Sequence, residues 1–245
     1  MKYNLITVLL LFFFLTTAQA KEIEMNYKAT FGVFGDVGMI KNRLIQNTNT
    51  YKIETRVTLK GLAKIILGGQ KEHYISKGHM ENGLMASDFY EMTSTKRDKK
   101  KVRTYTINHK DRYVTKRYRK WKKGKLVKDE TYRLDFYAKD DLLTLYFNMN
   151  EAIKEKREKY IFNVIGLEKQ NGKVQITVPD NAHIASYKRD LGNSADWYAK
   201  ALIVQKNFRN KKGDILLSVS KDGFIKKAVI KDILMYGDAK ITRVK

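Results

Sequence analysis

The sequence predicts a mainly β protein, and three observations predict it. Short segments rich in Tyr, Ile, Val, Phe and Thr recur along the chain, punctuated by Gly, Asn and Asp. Many of these segments alternate apolar with polar residues, the period of a strand with one buried face. Pro179 is the single proline in 245 residues, which suits long strands because each proline removes a ladder donor.

The first strand is expected over Glu22 to Phe34, with Ile23, Met25, Tyr27, Ala29 and Phe31 on one face. Gly35-Asp36 turns the chain into Val37 to Gln46, and Asn47 to Asn49 turns it into Tyr51 to Leu59. This is an antiparallel meander. Gly61 to Leu67 reads as a short helix or turn, followed by strands at Glu72 to Lys77 and Ser87 to Thr95. Next come long hairpins: Val102, Tyr105 and Ile107 alternate, Asn108 to Asp111 turn, and Tyr113 and Thr115 alternate again. A second pivot lies at Lys123-Gly124-Lys125, and Thr131 to Tyr137 is a further strand.

One helix is expected, over Asp140 to Lys154. Asp140 can cap its N-terminus and Asp141 suits the positive end of the dipole. Leu142, Leu145, Tyr146, Met149 and Ile153 form one apolar stripe at helical spacing. Strands follow at Lys159 to Ile165, Lys173 to Val178, Ala199 to Phe208, Asp214 to Ser220, Phe224 to Met235 and Ala239 to Val244.

The N-terminus predicts export. Lys2 precedes an apolar run from Leu5 to Leu15, and Ala18-Gln19-Ala20 offers small residues at the two positions a signal peptidase must accommodate. The run is too short for a hydrocarbon core that needs ~20 residues. Residues 1–20 are therefore expected to be a signal peptide cleaved after Ala20, leaving one β-rich domain, 21–245, in the periplasm. The chain has no cysteine, so it forms no disulfide and no thiolate nucleophile.

Charge is the strongest compositional deviation. The expected mature chain carries 48 basic and 26 acidic residues, and Lys96 to Lys128 alone holds sixteen Lys and Arg against Asp98 and Asp111. Such a field attracts polyanions or an anionic membrane surface. Tyr105, Tyr113, Tyr118, Trp121 and Tyr132 interleave the cations, a mixture that also suits stacking on bases. Export argues against nucleic acid and for anionic lipid, lipopolysaccharide or an envelope protein, with peripheral membrane contact.

No catalytic pattern is present. The chain lacks GxSxG, a P-loop and HExxH, and Gly32, Gly35 and Gly38 open no helix. His73 and His79 lie on or beside one strand, but scattered structural histidines are the expectation, together with His109 and His183. Asp140-Asp141 reads as cap and dipole partner rather than as an acid–base pair. No enzyme activity, cofactor or metal is expected.

Several segments resemble one family of exported bacterial proteins, domain of unknown function 3108. The run from Tyr27 to Gly38 is similar to its first hairpin, and Tyr51 into Lys60-Gly61-Leu62-Ala63 to its next strand and turn. Ser76 to Gly78 with Asn82 to Phe89, the helix start Asp140 to Tyr146, and Ser220 to Phe224 with Gly237 to Ile241 complete the resemblance. It departs at Met85-Ala86, where the family often has proline, and in the long cationic hairpins. The resemblance implies a curved antiparallel sheet around a helix, similar to periplasmic lipoprotein and lipid carriers, with no catalytic residues.

The expected architecture is a strongly curved, half-barrel-like antiparallel sheet with one helix packed on its concave side. The expected function is non-enzymatic binding of a lipid or other amphipathic anionic envelope component. An apolar concavity would take an acyl chain. A cationic rim of Lys99, Lys100, Lys101, Arg103, Arg117, Arg119, Lys120, Lys122 and Lys123 would take its head group. The alternative is a scaffold or assembly factor that docks an envelope machine through the same hairpins.

Overall fold

The computed structural model describes residues 20–61, 64, 69–155, 159–167, 172–204, 212–231 and 238–244. Residues 1–19 of the expected signal peptide and most of the Gly61 to Leu67 turn lie outside this set. So do the distal parts of the strands expected to reach Phe208 and Met235.

β1 (Lys21–Phe31) lies in the middle of the sheet, and the strands that follow build outward from it. β1, β2 (Asp36–Gln46), β3 (Thr50–Leu59) and β4 (Lys71–Glu81) form the meander the alternation predicts. β5 (Leu84–Lys96), β6 (Lys99–Asn108), β7 (Tyr113–Lys122) and β8 (Lys125–Arg133) extend it, each antiparallel to the strand before. The chain then crosses the concave side as β9 (Asp140–Asp141) and α1 (Leu142–Ala152). It returns through β10 (Lys159–Ile165), β11 (Lys173–Thr177), α2 (Ile184–Leu191), β12 (Trp197–Val204), β13 (Lys212–Val219), β14 (Ile225–Ile230) and β15 (Ala239–Arg243). β15 pairs with β1, placing Tyr27 opposite Arg243. The spatial order is therefore β8-β7-β6-β5-β4-β3-β2-β1-β15-β14-β13-β12-β11-β10-β9.

This sheet is strongly curved, as expected, and wraps the helix. Its β9–β10 edge meets the middle of the other wing, where the Ser87 N–H donates to the Lys139 carbonyl at 3.2 Å. Ile165 packs there with Tyr90, Tyr105 and Val114. Closure of this kind covers edges that would otherwise template aggregation. β8 lies beyond the closure and is exposed at every position, and Lys125, Lys128, Asp129, Glu130 and Arg133 guard that edge with charge.

Three expectations change. First, Asp141, not Asp140, caps α1: its Oδ1 accepts the Leu143 N–H at 2.7 Å and the Thr144 N–H at 3.0 Å. Asp140 instead joins Asp141 in a short parallel pairing with Val164 and Ile165. Second, α1 is apolar around most of its surface rather than along one stripe. Leu145 and Met149 face one cluster with Val174, Ile176 and Leu217, while Phe147 faces another with Met25, Tyr51 and Ile53. A helix enclosed by both wings must be apolar on both sides. Third, a second helix, α2, packs Ile184, Tyr187 and Leu191 against Tyr198, Leu216 and Val229.

Polar contacts fix α1 at both ends of its buried length. Asp141 Oδ2 accepts the Ser76 hydroxyl at 2.5 Å and the Thr144 hydroxyl at 2.9 Å, and Tyr51 bonds Thr144 at 2.7 Å. One turn on, the Asn148 amide donates to the Met85 carbonyl at 2.8 Å and accepts the Met85 N–H at 3.1 Å. Buried polar groups persist only when satisfied in this way, and here they set the helix register against β4 and β5.

Candidate functional site

A cavity of about 260 Å³ lies between α1 and strands β1, β2 and β11 to β15. Leu142, Leu145 and Met149 form its helix wall, and Ile176, Ile203, Leu217 and Ile230 are among the strand residues facing them. Alternation places these side chains there, because every second residue of β11 to β14 points to the concave side. Tyr27, Asn42 and Tyr146 are its polar lining residues, and the two hydroxyls and the Asn42 amide oxygen are each hydrogen-bonded. The Tyr27 hydroxyl lies 2.9 Å from the Ile225 carbonyl and 2.5 Å from the Tyr146 hydroxyl, and Asn42 accepts Thr55 at 2.7 Å. Burial pushes the Tyr27 and Tyr146 hydroxyls up from their ordinary values, so both stay neutral. A wall of this composition excludes water and accepts hydrocarbon.

The nine cationic residues expected to form a rim stand apart from this cavity. None of the nine lines it. They sit on β6, β7 and the turn between β7 and β8, whereas the cavity walls come from β1, β2, β11 to β15 and α1. Nor do they share one face. Lys99, Lys101, Arg103, Lys120 and Lys122 lie on the face that carries buried Tyr105. Lys100, Arg117 and Arg119 lie on the other, and Lys123 is in the turn. Aromatics are likewise on both faces.

The two faces differ in how the cations are satisfied. On one, Lys100 and Arg119 each lie 5.5 Å from the Trp121 ring centre, and Arg117 forms a two-pronged bond to Asp129 at 2.8 and 2.6 Å. On the other, register aligns like charges. Lys96 pairs with Lys99, Lys99 with Lys122 and Lys122 with Lys125, one row across four strands. Lys101, Lys120 and Lys128 form a second row. Lys128 has Glu130 at 2.8 Å, but among the described residues the other six lysines have no ion pair.

A second concavity was not legible in the sequence. A polar cleft of about 540 Å³ gathers His79, Glu81, His109, Arg112, Tyr137, Lys139 and Asp140. These residues come from separate strands and loops, so no spacing announces them. Asp140 Oδ1 is buried there without a hydrogen-bond partner among the described residues. Burial first, and the charge of Asp141 second, push the Asp140 carboxyl up to about 7. Asp141 cannot act on a ligand, since it is fully buried and engaged by the helix N-terminus, Ser76 and Thr144. His73 and His79 do not share a ligand: His73 bonds Glu54 at 2.7 Å, and His79 bonds Asp88 at 2.9 Å.

No family model matches the chain, and no curated protein is similar to it. Its fold has a counterpart among solved structures. The crystal structure of a β-barrel-like protein of domain of unknown function 1849 from Brucella abortus superposes with a TM-score of 0.52. The match covers 92% of this chain and 96% of that one at 10% identity, a likeness of fold alone.

Proposed function

We propose that this is a non-enzymatic binding protein of the cell envelope whose ligand is an amphipathic anionic molecule, with its acyl part in the cavity beside α1. The observation that carries the reading is the cavity wall, in which strand alternation and the helix converge on aliphatic side chains and the two tyrosine hydroxyls are already bonded. Ligand sites of this type are concave and mostly apolar. Kinship with domain of unknown function 3108, export and removal of residues 1–20 belong to the same reading. Intact mass of protein from the native envelope tests the export, and retention of Met1 to Ala20 would remove the periplasmic part.

Mass spectrometry of extracted lipid, with wild type beside Ala228→Leu, tests the ligand. Ala228 is buried in the cavity wall, so a larger aliphatic side chain occupies the space without adding a polar group. Wild type should carry acyl-chain lipid and the variant should not, with its melting temperature equal or higher. Equal lipid content in both would place the lipid elsewhere.

A second reading has its own observation. The lysine rows, in which six of the seven side chains have no ion pair among the described residues, favour docking of the hairpins on an anionic surface, either a membrane leaflet or an acidic envelope protein. The two readings are compatible, because cavity and rows occupy different parts of the sheet.

A further inference from the structure

We propose that His79, Asp88 and His109 form a binding site for a divalent transition-metal ion of the zinc type. The site is distinct from the apolar cavity and the lysine rows. His79 Nδ1 lies 2.9 and 3.1 Å from the two Asp88 oxygens, and His109 Nε2 lies 3.2 Å from Asp88 Oδ1. The ligand atoms of the three residues all lie within 4.8 Å of one another. Four-coordinate zinc with bonds of about 2.0 Å holds its ligand atoms roughly 3.3 Å apart. The three side chains therefore need little movement to close on an ion.

The backbone is shaped to bring them together. His79 is on β4, Asp88 on β5 and His109 in the turn after β6. Lys77 pairs with Phe89 but Gly78 pairs with Ser87, so Asp88 is the extra residue of a β-bulge and stands outside the ladder. Bulges of this kind re-aim a side chain. Gly78 makes it possible: a Cβ there would lie 1.9 Å from the Ala86 carbonyl oxygen. At the third corner, Asn108 Oδ1 accepts the Asp111 N–H at 2.8 Å and fixes the turn that carries His109.

The surroundings suit a metal-binding imidazole. His109 Nδ1 lies 3.0 Å from the Tyr137 hydroxyl, and Arg112 lies over the Tyr137 ring at 4.7 Å. A hydrogen bond from Nδ1 to the tyrosine oxygen leaves the Nε2 lone pair for the ion, the outer-shell arrangement that orients metal-bound histidines. Without an ion, the Nε2–H can instead donate to the Ser87 carbonyl, 2.9 Å away. Two imidazoles with one carboxylate select a late first-row divalent ion over magnesium or calcium, which prefer all-oxygen shells. Three protein ligands leave a fourth position open, here toward the cleft with Glu81, Arg112, Lys139 and Asp140.

The test is calorimetric titration of the chelator-stripped protein with zinc chloride, with magnesium chloride as the control. We expect saturable binding of one zinc per chain at micromolar concentration and none of magnesium. His79→Ala and His109→Ala should each weaken binding roughly tenfold or more. His73→Ala and His183→Ala, whose rings bond Glu54 and Asp180 instead, should leave it unchanged. Asp88→Asn keeps size and removes the carboxylate charge, so it serves if a histidine variant fails to fold. Cobalt should give visible bands in wild type that the Asp88 variant loses. Absence of saturable zinc uptake, or uptake equal in wild type, His79→Ala and Asp88→Asn, would overturn the site.

Discussion

Lys99 of β6 lies directly across the ladder from Lys122 of β7, and each has a further lysine, Lys96 and Lys125, as its other neighbour. Adjacent strands are about 4.8 Å apart, so the row places four like charges at that repeat on one face. Directly opposed like charges destabilise a sheet. Replacing Lys122 with Glu converts two repulsive pairs into attractive ones. The variant should be more stable than wild type by about 0.2–1 kcal/mol per pair in denaturant melts at low salt. The gain should shrink in high salt, where the Debye length falls to about 3 Å at 1 M. Lower stability of the variant at low salt would mean that the lysines are held by something other than repulsion.

The same rows predict surface binding. Vesicles containing anionic lipid should co-sediment with wild type at low salt and release it as salt rises. Lys101→Glu with Lys120→Glu and Lys122→Glu should abolish most of this binding. These residues carry no ion pairs among the described residues, so the fold should survive, exposed changes being worth only about 0.5 kcal/mol each. Arg117→Glu should matter less, because Asp129 already neutralises that guanidinium. Equal sedimentation of wild type and triple variant would show that the rows are solvated surface without an electrostatic partner.

Much of the fold was legible because it is local. Alternation at Ile23, Met25 and Tyr27 marks a strand whichever neighbour it finds, and the Asp-Asp-Leu-Leu start of α1 marks a helix whatever encloses it. The missing parts depend on tertiary closure. Phe147 lies off the apolar stripe of α1, and only the fold shows the strands that enclose it there. Ile184, Tyr187 and Leu191 are too few to announce α2 in a stretch of only eight residues. The cations of β6 and β7 were legible, but their separation from the apolar cavity is set by how far the sheet curls. The histidine cluster was hidden further still, because Asp88 reaches His79 only through the bulge at Gly78.

That bulge gives a stability prediction. Gly78→Ala would force a methyl group against the Ala86 carbonyl and the Tyr51 ring, which stands 2.9 Å from the Cβ position. Backbone must shift, and Tyr51 also bonds Thr144 of α1. The expected cost is roughly 1–3 kcal/mol, as for other overpacked sites, read from the midpoint of urea unfolding. An unchanged midpoint would show that the β4–β5 ladder tolerates a regular register here.

Asp140 predicts how stability depends on pH. Its carboxyl is raised to about 7 by burial and then by Asp141, against about 3.9 in an unfolded chain. Between those values the folded state holds a proton that the unfolded state has released. Stability contributed by this group is therefore full below about pH 4 and is lost as pH rises to about 7, at up to about 1.4 kcal/mol per unit. Burial pushes Asp141 upward as well, opposed by its hydrogen-bond donors, so the pair titrates together. Asp140→Asn should flatten the profile, matching wild type near pH 4 and exceeding it near pH 8. Parallel profiles for the two proteins would mean that Asp140 ionises freely when folded.

Leu145 tests the junction of helix and cavity. Its side chain is only 6% exposed and packs in the cluster with Val174, Ile176 and Leu217, while one side of it faces the cavity. Truncation to Ala removes buried methyl groups and enlarges a space that already exists. The neighbouring strands are fixed by their ladders and cannot collapse into it, so the cavity contribution adds to the lost transfer energy. Leu145→Ala should therefore cost about 2–5 kcal/mol in denaturant melts, the range for buried Leu→Ala changes. If an acyl chain occupies the site, lipid-loaded protein should lose less than delipidated protein, because hydrocarbon fills part of the new space. A loss below about half a kcal/mol in delipidated protein is the surface-like value. That result would place Leu145 against solvent and leave the cavity without its helix wall.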